Sequence, residues 1–187
     1  MNELYKIWRS YTMDKTWYVP GSWEARAHAV RVYSWAVPTN TAIHVLTRQP
    51  IVEIGAGTGY WARLVHEAGG DVVAYDPEPY QNRYVSGKHF PVRKGGTRSV
   101  AQHADRALFI CWPPYNDGVA ALALRTYRRA GGKKLFYVGE DRYGCTANNQ
   151  FFDELEKHWY CGESLSIPRW DGIYDGFNVY DLASTGR

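Results

Sequence analysis

The chain has 187 residues, 45% hydrophobic and 22% charged, a globular balance that excludes a disordered chain and leaves room for one ordinary domain rather than two. Its longest apolar run, Ala107 to Trp112, spans six residues, against the roughly 20 that a bilayer-crossing helix needs, so no transmembrane helix is expected. The net charge of +3 tolerates an anionic substrate but is too mild to mark a nucleic-acid surface, and 16% aromatic residues, with 8 Trp and 15 Tyr, is the unusual figure.

In chain order, residues 1–20 read as a short aromatic helix and a loop closing at Pro20-Gly21. Ser22 is an N-cap candidate for a helix running toward Trp35, and Thr39 or Asn40 for one through Ala42, Ile43, Val45 and Leu46. From Pro50 strands and helices alternate: strand Ile51–Ile54, helix Tyr60–Ala68 stopped by Gly69-Gly70, strand Asp71–Tyr75, and a helical turn over Pro77–Tyr84. A third strand is expected over His89–Arg93, a fourth over Ala107–Cys111, a helix over Asp117–Ala130 and a fifth strand over Lys134–Val138. Helix Asn148–Trp159 follows, with Phe151, Phe152, Leu155 and Trp159 on one face. Two extended stretches, Ser164–Ile167 and Phe177–Leu182, have no helix between them and read as an antiparallel edge hairpin. The fold class is therefore α/β, a mostly parallel Rossmann-like sheet with helices on both faces. The chain divides into a helical cover over 1–48 and a ligand-binding core over 49–187, together one domain.

Cys111, Cys145 and Cys161 form no CxxC pair, so neither a disulfide framework nor a zinc site is expected, and Cys145, His158 and Cys161 are read as structural. The first thirty residues carry charges among aromatics and lack an apolar h-region, which points to a cytoplasmic rather than a secreted protein.

The strongest local signal is Ile51-Val52-Glu53-Ile54-Gly55-Ala56-Gly57-Thr58-Gly59-Tyr60, a buried strand entering a Gly-x-Gly-x-Gly turn that opens a helix. Such a turn lets a ligand approach the backbone at the carboxyl ends of parallel strands. Tyr60 stands where the dinucleotide fingerprint needs its third glycine, and no Lys-Ser/Thr follows Gly59 as a P-loop requires. The acidic Glu53 argues instead for a ligand that carries positive charge.

Glu-x-Gly-x-Gly-x-Gly on a first strand resembles motif I of the class I S-adenosylmethionine-dependent methyltransferases, and Asp76 at the end of the second strand matches the acid that accepts hydrogen bonds from the ribose hydroxyls. The resemblance runs from Pro50 to the C-terminus. It implies a seven-stranded sheet with a terminal hairpin, S-adenosyl-L-methionine as cofactor, and Gly55, Gly57 and Gly59 behind its methionine end. Glu53, Ala56 and Trp112 belong to the same surroundings by that resemblance, and Asp105, just before the fourth strand, is a candidate for the adenine edge.

After the fourth strand comes Trp112-Pro113-Pro114-Tyr115. This is similar to motif IV of amino-group methyltransferases, where Asp, Asn or Ser precedes Pro-Pro-Tyr and, with the first proline's carbonyl, accepts hydrogens from a target NH2. Here the acceptor position is Trp112, whose side chain only donates, which weighs against a nucleic-acid amino group as the target. Pro113 retains its carbonyl, and Trp112 with Tyr115 can wall a flat substrate or a cation. Glu140, at the end of the fifth strand, is a candidate general base with Asp141 as its rival, and His89 and His103 are read as structural.

Transfer from an activated sulfonium requires alignment and exclusion of water more than titratable groups. The N-terminal aromatics Tyr5, Trp8, Tyr11, Trp17 and Tyr18 are candidates either for a lid or for a helix packed on the sheet edge, and Trp170 for a further pocket aromatic. The expected function is methyl transfer to a small-molecule or nucleotide-like acceptor. The alternatives are a DNA or RNA amino-methyltransferase, and a non-catalytic module that keeps the fold and acts through a partner.

Overall fold

A computed structural model of the protein describes residues 1–12 and 22–184. The expected loop at Pro20-Gly21, the lid candidates Trp17 and Tyr18, and the capping side chain of Ser22 lie outside the described residues.

Seven strands form one sheet: β1 (Ile51–Ile54), β2 (Val72–Asp76), β3 (Arg93–Lys94), β4 (Ala107–Cys111), β5 (Lys134–Gly139), β6 (Trp159–Leu165) and β7 (Gly176–Leu182). Their order is β3-β2-β1-β4-β5-β7-β6, parallel from β3 to β5, with β7 antiparallel to both β5 and β6. The order reverses at β1, between β2 and β4, which opens a crevice at the carboxyl ends of β1 and β4.

Side chains alternate across the sheet, and both faces are apolar because both are covered. Val52, Ile54, Leu108, Ile110, Leu135 and Tyr137 face α5 (Val119–Arg129) and α6 (Asn149–His158). Ile51, Ala107, Phe109, Phe136 and Val138 face α3 (Asn40–Leu46) and α4 (Tyr60–Glu67). Thr39 caps α3 as expected, its Oγ1 accepting the Ala42 N–H at 3.1 Å, and Asn148 caps α6 through the Phe151 N–H at 3.1 Å.

The N-terminal helices α1 (Glu3–Thr12) and α2 (Ser22–Val32) pack at the start of α4, where Leu4, Ala29, Val30 and Val37 enclose Tyr60 with Trp170. The Tyr60 hydroxyl accepts the Leu4 N–H at 3.1 Å, and Arg63 pairs with Glu3 at 2.6 Å. Trp8 donates its indole N–H to the Arg169 carbonyl at 2.9 Å. The cover is thus tied down at the start of α1 and again at Trp8.

Three elements depart from the sequence expectations. Residues 77–84 form no helical turn. Pro79 disfavours helical geometry at Glu78, Tyr80 has φ +73°, and the segment reverses through a bridge between Gln81 and Ser86. The third strand is Arg93–Lys94, pairing only with Tyr75 and Asp76, so the expected start at His89 is corrected, and a 3-10 helix over Thr97–His103 follows it. The sixth strand begins at Trp159, which leaves α6 directly in extended conformation (φ −130°, ψ 151°), rather than at Ser164.

A Cβ on Gly132 would overlap the ring atoms of buried Tyr127, whose hydroxyl donates to the Arg106 carbonyl at 2.6 Å. Gly132→Ala is therefore expected to destabilise by about 1–3 kcal/mol through overpacking. The check is a thermal melt, in which the midpoint should fall by about 2–4 °C per kcal/mol.

Candidate active site

The turn after β1 is built by three left-handed glycines, Gly55, Gly57 and Gly59, with φ of +77°, +54° and +76°. Gly59 is the most constrained, because a Cβ there would stand 2.9 Å from both Phe90 Cβ and Val92 Cγ2. The end of β2 holds the turn in place. The Gly55 and Ala56 N–H groups donate to the Tyr75 carbonyl at 2.9 and 3.0 Å, and the Gly57 N–H donates to Asp76 Oδ2 at 2.9 Å. The other oxygen of Asp76 accepts the Glu78 N–H at 2.8 Å. From above, Thr58 donates to the Tyr33 carbonyl at 2.8 Å, fixing the chain between α2 and α3 over the turn.

A cavity of about 650 Å³ lies over this turn. Of the sequence candidates it brings together Glu53, Gly55, Ala56, Gly57, Asp76, Trp112, Pro113 and Tyr115. Gly59 stands two residues beyond Gly57, as the N-cap of α4. Asp105 is not brought there: it is exposed and precedes the amino end of β4, opposite the carboxyl-end crevice. The lid candidates Tyr5 and Trp8, and Trp170, pack beside Tyr60 rather than lining the cavity. The aromatic roof comes instead from Tyr33 and Trp35, with Trp61 and Tyr84, which sequence reasoning did not single out. Trp35 and Tyr33 precede a proline and follow a helix, and nothing in their spacing marks the face they show.

Glu53 is the electrostatic centre. It is 2% exposed, lines the cavity, and its Oε2 has no hydrogen-bond partner among the described residues. Burial, followed by the charge of Asp76, pushes its carboxyl up to about 8. Burial also pushes the neighbouring Cys111 thiol well above its ordinary value, so it lines the cavity uncharged. A buried carboxylate with an unpartnered oxygen is costly unless a cation or donor meets it.

At the end of β4 the backbone is strained. Trp112 (φ +50°), Asn116 (φ +52°) and Ala147 (φ +56°) are left-handed non-glycine residues, and the last two brace the Pro113 turn. The Ala147 N–H donates to the Pro113 carbonyl at 3.1 Å, and the Asn116 N–H to the Ala147 carbonyl at 2.7 Å. Trp112 donates its indole N–H to Asp175 Oδ2 at 2.8 Å and stacks on Trp35, with centroids 5.1 Å apart. Tyr115 is 69% exposed at the mouth.

Glu140 is buried but does not line this cavity. Its Oε2 accepts the Cys145 N–H and its Oε1 the Tyr174 N–H, each at 2.6 Å. Burial raises its pKa, but those donors outweigh burial and hold it below the ordinary carboxylate value. Its stabilising contribution is therefore present above the unfolded carboxylate pKa and is lost as the pH falls through the lower, folded value. Glu140→Ala is expected to cost about 1–3 kcal/mol, by leaving two N–H groups without their acceptor. A thermal melt of the variant checks this outcome.

Comparison with solved structures bears on the whole arrangement. The chain is similar to 1,6-didemethyltoxoflavin-N1-methyltransferase from Burkholderia thailandensis, with a TM-score of 0.53 at 16% identity over 91% of this chain and 93% of the other. It is also similar to magnesium protoporphyrin IX methyltransferase from Synechocystis PCC 6803, with a TM-score of 0.51 at 8% identity over 96% and 91%. The chain has a methyltransferase fold. At these identities the likeness is one of fold; no family model and no curated protein matches the sequence. Within the methyltransferase fold of this chain, the glycine turn, Glu53 and Asp76 meet at the crevice where the sheet order reverses. Among the described residues no helix is long and apolar enough to cross a membrane.

Proposed function

We propose that the protein is an S-adenosylmethionine-dependent methyltransferase with a small-molecule acceptor. One observation carries the reading: a buried carboxyl, Glu53, with one oxygen unpartnered among the described residues, faces a cavity floored by a left-handed glycine turn. The chemistry of the donor set fits the cofactor. Glu53 offers an anion to the ammonium at the methionine end, Gly55 and Gly57 beside Ala56 leave room for close approach, Gly59 shapes the turn behind them, and Asp76 offers acceptor oxygens for ribose hydroxyls. The two solved methyltransferases support the choice, one having been crystallised with S-adenosylmethionine and the other with S-adenosylhomocysteine.

The bound cofactor supplies an electrophilic methyl group. The chain supplies the rest: it aligns the acceptor, and the indoles of Trp35 and Trp112 exclude water. Pro113 and Tyr115 contribute backbone rigidity and a ring at the mouth rather than a proton acceptor. Glu140 and Asp105, outside the cavity lining, take no part in this reading. A nucleic-acid amino group is the weaker target, because the Pro113 carbonyl already receives the Ala147 N–H and the Trp112 indole is committed to Asp175.

Isothermal calorimetry with S-adenosylhomocysteine tests the reading. A single site with micromolar affinity is expected, and absence of binding at millimolar ligand would overturn it.

A further inference from the structure

The acceptor side of the cavity has a chemistry of its own. Trp35, from the connection between α2 and α3, and Trp112, from the end of β4, stack with their planes 20° apart and both line the cavity. Trp112 reaches that pose through a left-handed backbone, and a residue so strained persists only where its surroundings hold it. Its holder is Asp175, on the turn entering β7, at 2.8 Å from the indole nitrogen.

Asp175 is 1% exposed, and its second oxygen, Oδ1, has no hydrogen-bond partner among the described residues. Burial pushes its carboxyl up to about 6, against a smaller lowering by the Trp112 hydrogen bond. A packed apolar residue would serve stability better than a half-satisfied buried carboxylate. Orientation of the indole is the service that an apolar residue could not perform.

The charges in the lining complete the picture. Glu53 and Asp76 are taken by the cofactor, which leaves Glu78 and Asp117 as the acidic groups, whereas among the described lining residues Arg83 is the only cation, and its guanidinium lies 4.5 Å over the Tyr84 ring. A phosphate or carboxylate on an acceptor would meet repulsion here rather than a partner. Indole faces, by contrast, favour flat rings in offset stacking.

We propose that the stacked Trp35–Trp112 pair is the acceptor wall, that Asp175 is its positioning residue, and that the acceptor is a flat aromatic molecule without an anionic group. This rests on the methyltransferase reading for the word acceptor, but the wall can be tested apart from it.

Three probes are titrated by NMR into protein saturated with S-adenosylhomocysteine: quinoline, quinoline-4-carboxylate and the saturated bicycle 2-decalone. Quinoline is expected to bind saturably and at least tenfold more tightly than either of the others. Asp175→Leu should weaken quinoline at least tenfold while S-adenosylhomocysteine affinity stays within twofold. Asp175→Asn, whose amide oxygen can still accept from the indole, should restore most of the loss. Should Asp175→Leu fail to fold, Trp112→Phe removes the same N–H donor and is expected to show the same tenfold loss. Equal affinity for the carboxylate or the decalone, no saturable quinoline binding, or unchanged quinoline affinity in the folded Leu or Phe variant would overturn the proposal. If S-adenosylhomocysteine itself does not bind, the methyltransferase reading fails, and the same titrations on the free protein decide the wall.

Discussion

Glu53→Gln is expected to weaken S-adenosylhomocysteine binding at least tenfold at pH 7.5 to 8, a loss of about 1.4 kcal/mol or more, and at the same time to make the empty protein more stable at alkaline pH. Both effects come from one buried carboxyl. Burial and the neighbouring Asp76 hold its pKa up at about 8, whereas in the unfolded chain a Glu ionises near about 4.3. Between those values the folded chain keeps a proton that the unfolded chain has released. The stability this confers is full below the unfolded pKa and is lost as the pH rises through the folded one. Gln cannot ionise, so the variant's stability should stay flat across that window and exceed that of the unmutated protein at its upper end.

A ligand that presents an ammonium to Glu53 reverses the preference, because the ammonium needs the ionised carboxylate. Binding near pH 7 should therefore release close to one proton, seen as a dependence of calorimetric heat on the ionisation enthalpy of the buffer. Affinity should rise with pH from 6 to 7.5. The Gln variant should show neither effect, and proton release that persists in Glu53→Gln would assign the titration to another group.

Asp76→Ala should lower S-adenosylhomocysteine affinity by about 1–3 kcal/mol and also lower the melting temperature. The sequence suggests only the ribose role. The structure gives the carboxylate a second one, since its two oxygens accept the N–H groups of Gly57 and Glu78. Alanine leaves both donors without that partner and releases the turn from the end of β2, so the empty protein should suffer as well as the complex. Asp76→Asn keeps one acceptor oxygen and should fall between. Affinity within twofold of the unmutated protein would show that Asp76 does not hold the ligand.

The parts of the fold that could be read from the sequence are those written in local pattern. The strand before a glycine-rich turn, the glycines that stop α4 and α5, and the caps Thr39 and Asn148 each depend on neighbours within a few residues. β3 could not be placed, because its two residues are defined by pairing with Tyr75 and Asp76 and carry no apolar alternation of their own. β6 begins without a break from α6 because Trp159 pairs with Leu182, a partner more than twenty residues away. The same division applies to the site. Glu53, Asp76 and Trp112 sit at fixed offsets from recognisable strands, whereas Trp35 and Asp175 join Trp112 only through tertiary contacts. The count of aromatics suggested a pocket rich in rings; the packing decides which rings, placing Trp8 and Trp170 against Tyr60 and turning Tyr33 and Trp35 toward the cavity.

A crystal structure of the protein with S-adenosylhomocysteine bound tests the central claim most directly. The account predicts the ligand in the cavity over Gly55–Gly59, its ammonium within about 3 Å of Glu53, its ribose hydroxyls within the same distance of Asp76, and its sulfur turned toward the Trp35–Trp112 wall. A ligand bound elsewhere, or one whose ammonium and ribose leave Glu53 and Asp76 without contact, would contradict it.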